Sequence, residues 1–173
     1  MKKRVALLLA AVLMLCAFSA QAASYTAKVG GSALFSVRYD DQYALDQYSY
    51  LGSGGTWFFI LYDGAFSVDC GMEHTDRGAG YSLRGASDAA VQAYAAAVAQ
   101  ASGGTVTEIY RAGSQPFAIV SARRPGTGQV YYAETIVGGN AVYFEIYDMR
   151  SGSVDASALS ALKKLLDGFT PLQ

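Results

Sequence analysis

Hydrophobic and polar residues alternate along much of the chain, and this period of two predicts a protein built mainly of β-strands. Leu34–Tyr39 alternates in this way, whereas Thr56–Tyr62 is apolar throughout, as expected of a central strand covered on both faces. Asp40–Gly55 is rich in Tyr, Asp, Gly and Ser, which predicts a loop with at most one irregular strand. The remaining predicted strands are Tyr25–Val29, Ala65–Glu73, Thr105–Arg111, Pro116–Arg124, Gln129–Val137 and Ala141–Asp148.

Two segments carry apolar residues at helical spacing instead. One helix is predicted to begin after Ser87, a suitable N-cap, and to run to about Ala101, with the stripe Val91, Tyr94, Ala95 and Val98. A second helix ends near Gly168 and has the stripe Leu159, Leu162, Leu166 and Phe169. This order predicts one α+β domain, residues 23–173, in which two helices pack on a mostly antiparallel β-sheet.

The last two predicted strands form a hairpin whose two faces differ in character. A two-residue turn at Gly138-Gly139 sets Glu134 opposite Tyr143 and Tyr132 opposite Glu145. One face, called here the tyrosine face, then carries Tyr132, Glu134, Tyr143, Glu145 and Tyr147. The other face is apolar and carries Tyr131, Ala133, Val142, Phe144 and Ile146. A four-residue turn at Pro125–Gly128 would add three small residues to this apolar face, namely Ala118, Val120 and Ala122.

The tyrosine face admits two interpretations. Tyrosine covers a large apolar area and keeps a polar tip, so it suits both the half-covered edge of a sheet and a binding surface. In the first interpretation these rings complete the core, and in the second they contact a partner. We predict a partner surface formed by Tyr132, Glu134, Tyr143, Glu145 and Tyr147, with the structural interpretation left open.

The first residues have the pattern of a secretory signal peptide. A basic segment at residues 2–4 precedes fourteen uncharged apolar residues, Val5–Phe18, and Ala20-Gln21-Ala22 then supplies a small-x-small cleavage site. The apolar run is shorter than the ~20 residues that a membrane-spanning helix needs. We therefore expect residues 1–22 to be removed and the mature protein to be exported to a periplasm or to the exterior.

Composition narrows the classes of function. The chain has 13 Lys and Arg against 14 Asp and Glu, and cleavage would remove three basic residues and no acidic one. The mature protein would therefore be mildly acidic and without a basic cluster, which argues against nucleic acid as a main partner. Cys70 would be the one cysteine left, so no intramolecular disulfide is expected.

Cys70, His74 and Asp76 are the residues with the most catalytic character. Cys70 and His74 could suggest a thiol nucleophile with its base, and all three could suggest a metal site. However, Cys70 falls on the apolar face of a predicted strand, which favours a small core residue. Four positions along a strand also separate Cys70 from His74 by ~13 Å. We predict no catalytic, cofactor-binding or metal-binding residue.

Four segments stand in an order that a known family shares. They are Phe35-Ser36-Val37-Arg38-Tyr39, the predicted Ser87–Ala101 helix, Tyr131-Tyr132 and Leu165-Leu166-Asp167-Gly168-Phe169. In this order the mature chain resembles the PsbP/Mog1/DcrB-like group of small α/β sandwiches over nearly all of its length. The resemblance implies an N-terminal hairpin, a long helix, an antiparallel meander and a C-terminal helix, with a non-enzymatic binding or assembly role.

These observations favour an exported, non-enzymatic binding or envelope-interaction module without a cofactor, whose partner is another protein or an envelope component. The alternative is a small secreted hydrolase or thiol enzyme that uses Cys70 and His74. Burial of Cys70 separates the two, because a buried thiol cannot attack a macromolecular substrate.

Overall fold

The structure is a computed structural model that describes residues 22–51 and 55–173. Its strands are β1 (Ala23–Val29), β2 (Ser32–Tyr39), β3 (Ala44–Leu51), β4 (Gly55–Tyr62), β5 (Phe66–His74), β6 (Thr105–Ala112), β7 (Gln115–Arg124), β8 (Gly128–Val137), β9 (Asn140–Asp148) and β10 (Phe169–Pro171). Its helices are α1 (Asp88–Ser102) and α2 (Ala156–Asp167). The predicted α+β class is therefore confirmed. The predicted signal peptide lies outside the described residues apart from Ala22.

The strands form two antiparallel sheets. The larger sheet has seven strands in the order β3-β4-β5-β9-β8-β7-β6, and the smaller has three in the order β1-β2-β10. Strands that pair are consecutive along the chain, except that β5 pairs with β9 and β10 pairs with β2. In the part of the chain that the structure describes, no helix combines the length and hydropathy needed to cross a bilayer.

The two faces of the large sheet are buried by different elements. One face packs against the small sheet and α2 in a core rich in phenylalanine, with Phe35, Phe59, Phe117 and Phe144 fully buried. The other face packs against α1 in a smaller cluster that includes Ala95, Ala118, Val120, Tyr132 and Tyr143. The chain is thus layered as α1, the large sheet, and then the small sheet with α2.

Helix α1 lies close to the sheet because its buried side chains are small. Ser87 caps it by accepting a hydrogen bond from the Ala90 amide at 3.3 Å, and Gly103 ends it with φ +65°. The residues it buries are Val91, Ala95, Val98 and Ala99. These short side chains let the helix approach the sheet, where it contacts mainly β6 and β7.

The register of the last hairpin agrees with the prediction, whereas that of the preceding one does not. Glu134 pairs with Tyr143 and Tyr132 with Glu145, as a two-residue turn at Gly138-Gly139 requires. In the preceding hairpin Arg124 pairs with Gly128, so three residues form the connection, not four. Because one residue of register reverses every side chain, the three small residues lie on the tyrosine face and not on the apolar face. They are Ala118, Val120 and Ala122.

Candidate functional site

Helix α1 divides the tyrosine face into a covered half and an open half. The covered half holds Tyr132 and Tyr143, which are buried in the cluster beneath the helix. Glu145 and Tyr147 lie toward the other end of β9 and are partly exposed. The predicted surface is therefore not a continuous open platform, because its two central rings are under cover.

Glu134 is the polar centre of the covered half. Tyr94 of α1 donates its hydroxyl proton to Glu134 Oε1 at 2.5 Å, and Tyr132 donates to Glu134 Oε2 at 2.5 Å. Burial raises the pKa of Glu134, whereas the two tyrosine hydrogen bonds favour its ionised form. Burial and this carboxylate raise the pKa of both hydroxyls, which remain proton donors. The carboxylate thereby ties α1 to β8.

Aromatic rings form a continuous row across the large sheet. Tyr132 and Tyr143 stack with their centroids 5.4 Å apart, and Trp57 meets the Tyr143 ring edge-on at 5.9 Å. The row crosses β5 at Gly71, the residue that pairs with both Trp57 and Tyr143. A single glycine within a strand is typical of a close approach by another group, and here that group is the tyrosine ring.

The open half joins carboxylates to aromatic and apolar side chains. We define the open half as Trp57, Tyr62, Asp69, Glu145, Tyr147 and Met149. Three of these are among the exposed large hydrophobic residues, with exposed fractions of 37% for Trp57, 42% for Tyr62 and 57% for Met149. A shallow depression of about 370 Å³ runs between Tyr62, Tyr147 and Met149, and Asp46 and Ser67 also line it.

Asp69 and Glu145 face each other on neighbouring strands of the open half. Burial, and then the adjacent Glu145 carboxylate, raise the pKa of Asp69 to about 6, against hydrogen bonds from Ser67 and Tyr147 that favour ionisation. Glu145 also forms an ion pair with Arg124, whose Nε lies 2.8 Å from Glu145 Oε2. The guanidinium of Arg124 lies 5.4 Å from the centroid of Tyr132, so it links the two halves.

The structure places Cys70 in the core, away from any catalytic arrangement. Its side chain is fully buried, and burial raises the pKa of the thiol well above its ordinary range. His74 is exposed at the end of β5, with Nδ1 at 2.9 Å from Asn140 Oδ1. Thiol chemistry at Cys70 therefore receives no support from the geometry. Within the described ranges, no group of three or more His, Cys, Asp or Glu side chains could hold a metal ion.

Sequence reasoning missed several residues of this face. Trp57 and Tyr62 lie in an apolar run that is typical of a strand covered on both faces, but both are exposed because α1 contacts mainly β6 and β7. Tyr94 belongs to the apolar stripe of the helix, but its hydroxyl also donates a hydrogen bond to Glu134. Gly71 is the one local signal, since an isolated glycine in a strand marks a close contact.

Comparison with known proteins adds a similar structure but no family. No protein-family model matches the chain, and no curated protein matches it. The chain is similar to a crystal structure from Bacteroides thetaiotaomicron VPI-5482 determined at 1.50 Å resolution, with 14% sequence identity and a TM-score of 0.46. The match covers 88% of this chain and 49% of that chain, so this chain spans about half of its length. Neither a family nor an activity follows from a match at this level.

Proposed function

We propose that this chain is an exported, non-enzymatic binding module and that its partner contacts the open half of the tyrosine face. One observation carries the proposal: among the described residues, α1 contacts mainly β6 and β7 of the large sheet, and Trp57 and Tyr62 on β4 and Met149 just after β9 remain exposed. Exposed apolar residues grouped within a polar surround are typical of interaction sites, whereas scattered ones need no explanation. The export part rests on the signal-peptide pattern of residues 1–22.

The chemistry of the open half suits a protein partner that presents basic and apolar side chains. Aromatic residues and methionine are enriched at the centres of protein interfaces. Asp69 and Glu145 add carboxylates to these side chains, and Glu145 already forms an ion pair with Arg124. A partner with lysine or arginine beside an apolar residue would complement both features.

The PsbP/Mog1/DcrB-like resemblance supports the same class of function, and we retain it as a proposal. The N-terminal hairpin of β1 and β2, the long α1, the antiparallel run from β6 to β9 and the C-terminal α2 follow the order that this group implies. A binding or assembly role also agrees with the buried position of Cys70, which removes the nucleophile of the alternative enzyme.

Site-specific cross-linking in the exported protein tests the proposal. A photoreactive amino acid is placed at Tyr62 or Met149, and at Val106 as the control, because Val106 is as exposed as Tyr62 (43% against 42%) but lies on β6 at the far edge of the sheet. We expect the same protein to be cross-linked from Tyr62 and from Met149 but not from Val106. That protein should also shift the fluorescence of Trp57, the only tryptophan in the chain.

Affinity measurements with the captured protein complete the test. We expect Tyr62→Ala to weaken binding about tenfold, as for an aromatic residue at an interface centre, and Val106→Ala to leave it unchanged. Equal cross-linking from all three positions, or equal binding by the two alanine variants, would show that the open half is not the partner surface.

A further inference from the structure

A second cavity lies beside α1, separate from the open half. It has a volume of about 370 Å³, within the range of small-ligand sites, and lies between the C-terminal part of α1 and the end of β5. Its charged lining residues are Glu73, Arg77, Arg124 and Glu134, its other polar lining includes His74, Tyr94 and Tyr132, and its apolar lining includes Val98, Ile136 and Ala141. We call this cavity the α1 groove.

Glu134 is a largely buried carboxylate in the α1 groove without a basic partner. In the part of the chain that the structure describes, four ion pairs form and Glu134 belongs to none of them. Its hydrogen-bond partners are the hydroxyls of Tyr94 and Tyr132, one on each oxygen. A carboxylate has about four acceptor positions, so each oxygen keeps capacity for a further donor. Buried carboxylates are rare unless a counter-charge accompanies them.

The other charged groups of the α1 groove do not supply that counter-charge. Arg124 is held by Glu145 at 2.8 Å. Arg77 places its guanidinium over the Tyr81 ring, 4.4 Å from the centroid. Glu73 is exposed, and its negative charge acts on Glu134 and on Tyr132, whereas the positive charge of Arg77 acts on Tyr94. In the described part of the chain, neither arginine makes a hydrogen bond or an ion pair with Glu134, so this carboxylate has no direct counter-charge.

We propose that the α1 groove binds a primary ammonium group carried on an aliphatic stem, with the ammonium at Glu134 and Glu73. A compact ammonium has three donors and needs no planar bidentate partner, which suits oxygens that each already accept one tyrosine hydrogen bond. The stem would contact the apolar lining at Val98, Ile136 and Ala141. A lysine side chain and a free alkyl diamine share this chemistry.

Calorimetric titration of the mature protein with matched ligands tests the proposal. The ligands are Nα-acetyl-lysine amide, 1,5-diaminopentane and Nα-acetyl-norleucine amide, which has an aliphatic side chain but no ammonium. We expect the first two to bind and the third not to bind. Binding by the lysine amide alone would assign the groove to a peptide ligand, and tighter binding by the diamine would assign it to a free amine; either result supports the ammonium site.

Variants connect the binding to Glu134. Glu134→Gln keeps the shape and one acceptor but removes the charge, and we expect it to weaken ammonium binding about tenfold or more. Glu108→Gln is the matched control, because Glu108 is half-buried on β6 and paired with Lys163 outside the groove. Glu73→Gln, at an exposed position, should weaken ammonium binding several-fold. It replaces Glu134→Gln as the test of the ammonium site if Glu134→Gln does not fold. Equal binding of the lysine and norleucine amides, or unchanged binding by both groove variants, would overturn the proposal.

Discussion

The hydroxyl of Tyr143 occupies the space that a side chain at Gly71 would need. A Cβ at Gly71 would lie 2.5 Å from Tyr143 Oη, 2.7 Å from Tyr143 Cζ and 3.0 Å from the Thr56 carbonyl oxygen. Gly71 does not have a left-handed backbone, so close contact alone, and not backbone conformation, restricts this position to glycine. The tyrosine ring can reach Trp57 because the strand between them carries no side chain there.

We expect Gly71→Ala to destabilise the fold by about 1–3 kcal/mol, the usual cost of an added group in a well-packed region. The measurement is urea unfolding followed by Trp57 fluorescence, which also reports whether the ring contact changes. Gly80→Ala is the control, because a Cβ at Gly80 meets nothing within 4 Å. Equal loss in both variants would show that the contact with Tyr143 is not the cause.

The tyrosines of the predicted surface should separate into core and surface members. Tyr143→Ala removes a buried ring that stacks on Tyr132 and meets Trp57, and should cost about 3–5 kcal/mol of unfolding free energy. Tyr147→Ala removes a partly exposed ring and should cost less than about 1 kcal/mol. Denaturant unfolding measures both. Binding of the captured partner per folded molecule should fall in Tyr147→Ala but not in Tyr143→Ala. A large loss of stability in Tyr147→Ala would instead place Tyr147 in the core.

Cys70 should behave as a core residue. In protein produced without residues 1–22, where Cys70 is the sole cysteine, we expect an aromatic disulfide reagent to label Cys70 only after unfolding, because the side chain is fully buried. Cys70→Ser should cost about 1–3 kcal/mol through a buried hydroxyl. Cys70→Ala separates this polar effect from simple loss of volume. Rapid labelling of the native protein would contradict the prediction.

Asp69 should make stability fall as pH rises. Its folded pKa of about 6 lies above the unfolded value, so between about pH 4 and pH 6 the folded state binds more protons and loses stability with increasing pH. The free energy of unfolding of Asp69→Asn relative to that of the wild type should therefore rise by about 1 kcal/mol from pH 4 to pH 7, after allowance for solvent screening. Urea midpoints across this range measure it.

The control for Asp69 is Asp76→Asn, which changes an exposed loop aspartate outside the open half. Its unfolding midpoints should parallel those of the wild type at every pH. If the midpoints of Asp69→Asn also parallel those of the wild type, the Asp69 carboxyl group of the wild type does not titrate near pH 6 in the folded protein.

Local signals in the sequence predicted the local structure well. Alternation located most strands, and the Gly138-Gly139 pair determined the register of the last hairpin because two-residue turns admit few geometries. Ser87 and Gly103-Gly104 marked the ends of the first helix because capping depends on neighbouring residues only.

The features that local patterns did not predict depend on pairing between distant strands and on the length of one turn. No property of β5 indicates that β9 will be its neighbour, and that pairing brings Asp69 beside Glu145. The connection at Pro125–Thr127 is one residue shorter than expected, which moved Ala118 and its small neighbours to the face that receives α1. The position of α1 over Tyr132 depends on this one-residue difference in turn length, so no pattern within the last hairpin could reveal it.

The pairing of β10 with β2 sets the order in which the chain can fold. Gln173 Nε2 donates to the Ala33 carbonyl at 3.1 Å across a separation of 140 positions, and Phe169, on the same short strand as Pro171, stacks on Phe35 with centroids 5.1 Å apart. Contacts this distant in sequence form slowly because a long loop must close first. The phenylalanine core therefore closes only when residues 169–171 are present, and a chain that lacks any part of the segment between Phe35 and Phe169 cannot complete it.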